Sequence, residues 1–288
     1  MNQKARTGRF RWSIQPVDAV VGLGVVMVVV VFGMIIADIL FLGFPMITPD
    51  FLLDGPRQGG RAGGIGPILV STLLVTSIAI LSAAPIGLFL AITLSEYGRD
   101  YPALAARLRV ALLIFASLPS IIFGLVGNIV FCEWLGLGFS ILAGGLTLGL
   151  MILPIFAFIA EESLRAVPLS CRNAAFALAM PRRRVVAGVL LPIAAPGIVN
   201  GLLLGIGRAV AESAALVLTS GYVDRMPESL FDSGRTLAVH ILDLAMNIAG
   251  GDRAAYATAA VLMIILMLLN SLLFLSSRWE KRNRRCCL

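Results

Sequence analysis

Long apolar runs, separated by short basic segments, constrain this chain more than any other feature of its sequence. The first run, residues 17–42, would measure about 39 Å as an α-helix, which exceeds a bilayer's hydrocarbon thickness of roughly 30 Å. Of the 288 residues, 59% are hydrophobic and only 14% are charged. This composition excludes a soluble domain and predicts an all-α integral membrane protein in contact with lipid.

The apolar runs predict six transmembrane helices. Basic residues precede the first run and no small-residue cleavage pattern follows it, so it is interpreted as an uncleaved span. Glycine and proline interrupt several later runs, as expected of helices in a bundle that has to move. The predicted spans are residues 17–42, 66–96, 110–131, 139–160, 193–220 and 254–275.

Most lysine and arginine residues lie at the two ends of the chain and in the connections after the second and fourth runs. The positive-inside rule assigns these segments to the cytoplasm, with both termini on that side. Because the basic residues do not form one stripe with aromatic residues, nucleic acid is not an expected partner. The long outer connection, 221–253, carries apolar residues at helical spacing and predicts an amphipathic helix at the membrane interface, through Leu237, Ile241, Leu244, Ala245 and Ile248.

The connection between the fourth and fifth spans, residues 161–192, is basic, amphipathic and interrupted. Pro168 predicts the start of a helix of about three turns, Pro181 opens a second helix, and Pro192 is expected to stop it. Small residues on the first helix would let another protein's backbone come close. Two interpretations remain open: a connector lying on anionic headgroups, or a docking element for a soluble partner.

Arg208 and Glu212 form the one pair of opposite charges well inside an apolar run. At a spacing of four residues they would share a helical face and could pair. The pair either fixes helix packing or places an arginine on a water-filled pathway, where a passing anion could replace Glu212. Ser71 and Thr72 in the second span either bond to neighbouring backbone or line such a pathway.

Several kinds of site are missing from the sequence. Lysine occurs only at positions 4 and 281, so a phosphate-binding loop that ends in lysine is absent. The four cysteines and the single histidine, His240, lack metal-ligand spacing. We therefore expect no cofactor in this chain and no enzymatic activity of its own.

One motif resembles the cytoplasmic signature of ABC importer permeases. Asn173-Ala174-Ala175, three residues, Ala179, nine residues and Val189-Leu190-Leu191-Pro192 follow the spacing of that signature. In the family the segment is a coupling helix that docks on a cytoplasmic ATPase, and Asn173 and Ala179 replace the family's acid and glycine. The Met180-Pro181 step is expected to make the turn that glycine would make. The resemblance assigns ATPase coupling to Asn173, Ala174, Ala175, Ala179, Leu191 and Pro192.

Three further stretches resemble the PstA-type permease subunits of phosphate importers, over roughly residues 63–275. They are Gly63-Gly64-Ile65-Gly66-Pro67 with Ser71-Thr72, Gly207 to Ser213, and Ser233-Gly234-Arg235. Ala214-Ala215 departs from the Ala-Pro of many relatives. The resemblance implies a phosphate pathway with Arg208, Glu212, Ser71 and Thr72, in a bacterial cytoplasmic (inner) membrane. It also implies a PstC-type permease partner, a PstB-type ATPase dimer that carries ATP and Mg, and an extracytoplasmic PstS-type phosphate-binding protein.

This interpretation divides the chain into four parts. They are a basic cytoplasmic N-terminus (1–16), the first helix with its outer loop (17–65), a permease core (66–277) that contains the coupling segment, and a basic cytoplasmic tail (278–288). Three alternatives remain. A permease for another oxyanion, such as phosphite or molybdate, is one; an ion-coupled secondary transporter, whose paired broken helices are not found in the sequence, is another. A membrane-embedded enzyme is the third, although the chain offers almost no catalytic groups.

Overall fold

The computed structural model describes residues 16–98 and 100–284, with side chains between residues 20 and 274. Five helices in this part of the chain are long and apolar enough to cross a membrane, and a bent pair makes a sixth span if it is counted as one. The predicted all-α membrane architecture is confirmed. The basic N-terminus (1–15), Arg99 and residues 285–288 lie outside the described residues.

The first span is helix α1, Pro16–Gly43, as predicted. Its last residue approaches the final helix closely, because a Cβ atom added at Gly43 would lie 2.9 Å from the Cβ atom of Ala260. Only glycine fits this contact. The outer loop that follows holds the short helix α2, Pro49–Leu53, and an antiparallel strand pair of β1, Pro56–Arg57, with β2, Ala62–Gly63.

Two long helices form the centre of the bundle. Helix α3, Gly66–Ile92, continues through a π-helical turn at Thr93–Tyr97, and α6 covers Ile141–Arg165. Both agree with the predicted second and fourth spans, although α6 extends five residues further. They pack through small residues: a Cβ atom added at Gly145 would lie 2.6 Å from Ile78. The core between them and their neighbours includes the buried residues Val75, Ala79, Leu148, Met151, Ile152 and Leu216.

The third span is bent, which corrects the prediction of one helix over 110–131. Helix α4, Pro102–Ser117, is followed by α5, Ser120–Gly127, which runs on through a π-helical turn at Asn128–Trp134. The two parts meet at 99°. Pro119 causes the break, since the residue before a proline avoids the α region and Leu118 has ψ 137°.

The fifth span begins earlier and ends earlier than predicted. Helix α8, Arg182–Val185, a π-helical turn at Val186–Leu190, and α9, Leu191–Val210, form one continuous helix. Pro192 therefore does not stop a helix. It occupies the first turn of the α-helical segment after the wide turn, where a missing N–H is tolerated.

Beyond Val210 the fifth span is irregular. A single helical turn, α10, Ala214–Val217, replaces the predicted continuation to residue 220. The Asn128 side chain donates to the Leu218 carbonyl at 2.7 Å, and the Cys132 thiol donates to the Thr219 carbonyl at 3.7 Å. These contacts satisfy carbonyl groups that the broken helix leaves free, which is a requirement for non-helical backbone at membrane depth.

The predicted amphipathic helix exists, and one side of it packs against protein. Helix α11, Leu237–Met246, packs against α3 and the last helix, α12, Asp252–Arg284. Leu237, Val239 and Leu244 are fully buried there. The position of α11 at the membrane interface stays a prediction, and Leu237 and Leu244 of the apolar stripe pack against protein.

Candidate functional site

Arg208 lies in the last turn of α9 with an exposed side chain. It borders a groove of about 490 Å³ between α6, α9 and α12, where its neighbours include Ile155, Gly207, Leu266 and Asn270. The carbonyl groups at a helix C-terminus carry partial negative charge, so a cation is favourable at this point of α9. The groove is otherwise mostly apolar.

The position of this groove along the helix bundle follows from the residues that line it. Ile155 lies fourteen residues after the outer end of α6, Ile141, which corresponds to about 21 Å along the helix. Asn270 lies eighteen residues into α12, or about 27 Å. Arg208 therefore lies between helices that are long and apolar enough to cross a membrane, where a charge is costly unless it faces water or protein.

The predicted pairing of Arg208 with Glu212 was wrong. Helix α9 ends at Val210, so the two residues do not share a helical face. A carboxylate oxygen of Glu212 instead accepts the backbone N–H of Ala215 at 3.4 Å, at the start of α10. Within residues 20–98 and 100–274, no ion pair to Arg208 is found.

Ser71 and Thr72 are buried in α3, near the outer loop. The Thr72 hydroxyl donates to the Ile68 carbonyl at 2.7 Å and accepts the Leu237 N–H at 2.9 Å. Thr72 also borders a second cavity, of about 310 Å³, between α3, α9 and α12. Leu269 borders both cavities, so the two cavities are adjacent. Thr72 also has a structural role, because its hydroxyl binds the first N–H group of α11.

The turn of the coupling segment is made by Ala179 itself, which corrects the expectation of a turn at Met180-Pro181. Helix α7, Leu169–Ala177, ends in a Schellman motif in which Ala179 has φ +53°. The Met180 N–H donates to the Ala175 carbonyl at 3.2 Å, and the Ala179 N–H to the Phe176 carbonyl at 2.9 Å. Alanine occupies the left-handed position that glycine usually takes, at some cost in energy.

The predicted coupling residues divide between two faces. Asn173, Ala174, Ala179 and Pro192 are exposed, whereas Ala175 is 4% exposed and Leu191 is partly buried in the same cluster. Ala175 therefore packs inside the subunit and is not available to a partner. Next to the exposed small residues lie three exposed apolar side chains that the sequence did not single out, Leu169, Phe176 and Leu178.

Ion pairs attach the coupling segment to the neighbouring helices, and the sequence reasoning missed them. Arg172 pairs with Glu96 at the end of α3, and Arg182 with Asp100 in the next loop. The Arg182 guanidinium holds the pKa of the Asp100 carboxyl below its usual value. Further inside, Glu161 of α6 accepts from Arg109 at 2.7 Å and lies 2.9 Å from Arg165. The sequence did contain a signal for two of these pairs. An acidic residue stands at the end of the second and of the fourth apolar run, Glu96 and Glu161.

A second polar cluster lies in the outer loop. The Arg235 guanidinium donates to the Tyr222 carbonyl at 2.8 Å and lies 3.1 Å from Asp243 and 3.2 Å from the His240 ring nitrogen. Burial, with the nearby Arg235 charge, lowers the pKa of His240 to about 4, although Asp243 opposes the shift. The ring is therefore neutral at neutral pH and acts as a packing and hydrogen-bonding group.

A comparison with known protein families identifies the family of this chain. The family described as "Binding-protein-dependent transport system inner membrane component" matches residues 83–284, from α3 to the end of α12. The chain belongs to this family of ABC importer permeases. The match includes both the coupling segment and Arg208.

Named relatives of the permease are also ABC transporter or phosphate transport permeases. It is 28% identical to the probable ABC transporter permease protein YqgI of Bacillus subtilis, over 84% of this chain and 85% of that protein. It is 39% identical to the phosphate transport system permease protein PstA 1 of Mycobacterium tuberculosis, over 56% of this chain and 52% of that protein. A match to PstC of Pasteurella multocida, at 28% identity, covers 77% of each.

Solved structures show the same fold. A bacterial ABC transporter involved in the import of alginate aligns with a TM-score of 0.60 and 13% identity, over 92% of this chain and 95% of that chain. The inward-facing MetNI methionine ABC transporter aligns with a TM-score of 0.58 and 20% identity, over 76% of this chain and 94% of that one. With the family match, this makes the permease a transmembrane subunit of an ABC importer.

Proposed function

We propose that this permease is the PstA-type subunit of a phosphate importer and forms half of the translocation pathway with a homologous, PstC-type permease. Support comes from the PstA and PstC relatives and, above all, from Arg208. The guanidinium lies on an open groove between three candidate membrane-spanning helices, and no carboxylate of the described side chains pairs with it. That observation carries the proposal.

The guanidinium offers a planar fork of donors that suits the oxygens of a tetrahedral oxyanion. Helices that break inside the membrane are typical of transport sites, and α9 ends at Val210, two residues after Arg208. Because the helix carbonyls offset part of its charge, Arg208 would attract phosphate and release it again, as conduction requires. Thr72 and Ser71 would line the adjacent outer part of the pathway. Glu212 would stabilise the break after α9 through its contact with the Ala215 N–H.

The energy would come from a PstB-type ATPase dimer on the cytoplasmic side, which binds ATP and Mg. The exposed apolar residues of α7, Phe176 and Leu178 among them, would dock on it, and closure of the ATPases would draw the coupling segments together. A PstS-type binding protein would deliver phosphate to the outer face. With six spans, both termini would lie in the cytoplasm of a bacterial cell, as the basic segments favour.

The proposal is tested on the complex that co-purifies with the permease, reconstituted in liposomes with the phosphate-binding protein. Arg208→Ala should abolish ATP-dependent phosphate uptake without loss of assembly, while Arg107→Ala, the exposed control on α4, should leave uptake near wild type. Normal uptake by Arg208→Ala would show that Arg208 has no role in transport and contributes only to packing. Uptake by the permease without any ATPase would instead identify an ion-coupled carrier.

Competition experiments separate phosphate from the other oxyanions that the same guanidinium could accept. Unlabelled phosphate should suppress labelled phosphate uptake more strongly than phosphite or molybdate does. If molybdate or phosphite competes better than phosphate, the chain is a permease for that anion.

A further inference from the structure

The cytoplasmic end of α3 is held by an arginine from the coupling helix. Arg172 of α7 reaches the carboxylate of Glu96, within the π-helical turn Thr93–Tyr97, and its second nitrogen donates to the Leu164 carbonyl of α6 at 2.6 Å. One side chain therefore joins α7, α3 and α6.

This ion pair is buried. The Arg172 side chain is 5% exposed and that of Glu96 is 12% exposed, whereas the Arg182–Asp100 pair nearby is 52% and 40% exposed. Removing one partner of a buried pair leaves an uncompensated charge and is strongly unfavourable. An exposed pair contributes little because water and salt screen it. The Arg182–Asp100 pair joins the first turn of α8 to the loop after α3, so it serves as an exposed control for the buried pair.

A second arginine fixes the same turn from the other side. Arg109 of α4 donates to the Leu94 carbonyl at 3.4 Å while it pairs with Glu161 of α6 at 2.7 Å. The π-helical turn is thus attached to α4, α6 and α7. The remainder of α3 is a continuous helix up to Gly66, and Thr72 lies roughly 36 Å from Glu96 along it.

We propose that Arg172 is the positioning residue through which displacement of the coupling helix moves α3 and α6 together. A buried attachment to both helices transmits force in either direction, in addition to the packing of Ala175 and the turn at Ala179. The inference rests on the proposed coupling to an ATPase, but not on the identity of the transported anion.

The first test compares the number of anions transported per ATP hydrolysed by the reconstituted complex. Arg172→Ala should lower this ratio by about tenfold while ATP hydrolysis persists, and Asp100→Asn should leave it unchanged. Glu96→Gln, which keeps an acceptor oxygen and a side chain of the same size, should lower the ratio less. An unchanged ratio in both Arg172→Ala and Glu96→Gln would overturn the proposal.

The second test distinguishes transmission from folding. The double variant Arg172→Glu with Glu96→Arg should restore transport relative to either single variant, measured on equal amounts of assembled complex. Spin labels at Ala177 and Tyr101, in a background with the cysteines replaced by serine, should keep their distance when ATP binds to wild type. In Arg172→Ala that distance should change, because α7 then moves alone; equal behaviour of the two proteins would contradict the proposal.

Failure of this inference is distinct from failure of the proposed function. If wild type shows no phosphate uptake, the substrate assignment fails, but the label distances and the rate of ATP hydrolysis still report on Arg172. If wild type transports phosphate and the ratio is insensitive to Arg172, only the role of Arg172 fails.

Discussion

The hydroxyl of Thr72 accepts the first free N–H of helix α11, that of Leu237, at a distance of 2.9 Å. The contact joins α3 to the outer loop across 165 residues of sequence. It fixes where α11 begins, and it explains why an amphipathic helix that could lie on lipid packs inside the protein.

Thr72→Val should therefore destabilise the permease by about 1–3 kcal/mol, since a buried N–H loses its acceptor. Thr72→Ser keeps the hydroxyl and should stay near wild type. Thermal unfolding of the purified protein in detergent measures both. If Thr72→Val lost transport while its unfolding temperature was unchanged, the hydroxyl would act on the substrate pathway and not on the fold.

Ala179→Gly should stabilise the coupling segment by about 1 kcal/mol, because glycine adopts φ +53° without the steric cost that alanine has there. Ala174→Gly is the matched control on the same helix and should destabilise by about 1 kcal/mol. Hydrogen exchange of the α7 amides reports both changes. Faster exchange in Ala179→Gly than in wild type would show that the left-handed turn carries no strain.

Charge at Ala174 and charge at Ala175 should have different effects. Ala175 is buried against the subunit's own core, so Ala175→Asp should reduce the amount of folded permease in the membrane. Ala174 is exposed, so Ala174→Asp should fold normally and weaken association with the ATPase. Size-exclusion profiles and co-purification separate the two. Equal co-purification of ATPase with Ala174→Asp and wild type would remove this face of α7 from the docking surface.

Stability should depend on pH through His240. Its pKa in the folded protein is about 4, below the 6.5 of an exposed histidine, so the unfolded chain binds a proton that the folded one does not. The stabilising effect is complete above pH 6.5 and is lost as the pH falls from 6.5 towards 4, by on the order of 3 kcal/mol.

His240→Gln should flatten the stability profile over this range. The facing groups, Arg235 and Asp243, are kept in that variant, and His240 is the single histidine of the chain. Unfolding temperatures measured between pH 4.5 and 7.5 provide the comparison. An identical pH slope in wild type and variant would assign the effect to carboxyl groups.

The spans themselves were predictable because each depends on a local property, the length of an apolar run. Helix α3 together with its π-helical turn begins and ends within a residue of the predicted span for this reason. The coupling segment was also visible, since its prolines and small residues mark its helices locally. Its turn at Ala179 was missed because the φ angle of a non-glycine residue is not readable from composition.

The breaks depended on partners that are distant in sequence. One contact at the break is local, that of the Glu212 carboxylate with the Ala215 N–H. The others come from Asn128 and Cys132, some 90 residues earlier, which bind the Leu218 and Thr219 carbonyl groups. For the same reason the Arg208 and Glu212 spacing suggested a pair that the fold does not form. Arg172 had no marker of burial, because Glu96 and Leu164 meet it only in the folded bundle.

The π-helical turn at Val186–Leu190 has a consequence for the phase of the long fifth helix. A wide turn takes up one residue more than an α-turn, so the side chains before it are rotated by about 100° relative to those after it. Deleting a single residue from this turn would restore an ordinary α-helix and rotate Arg182 by about 100° around the helix axis, away from Asp100. The rotation of α8 relative to α9 is thus set by the one additional residue in the π-helical turn.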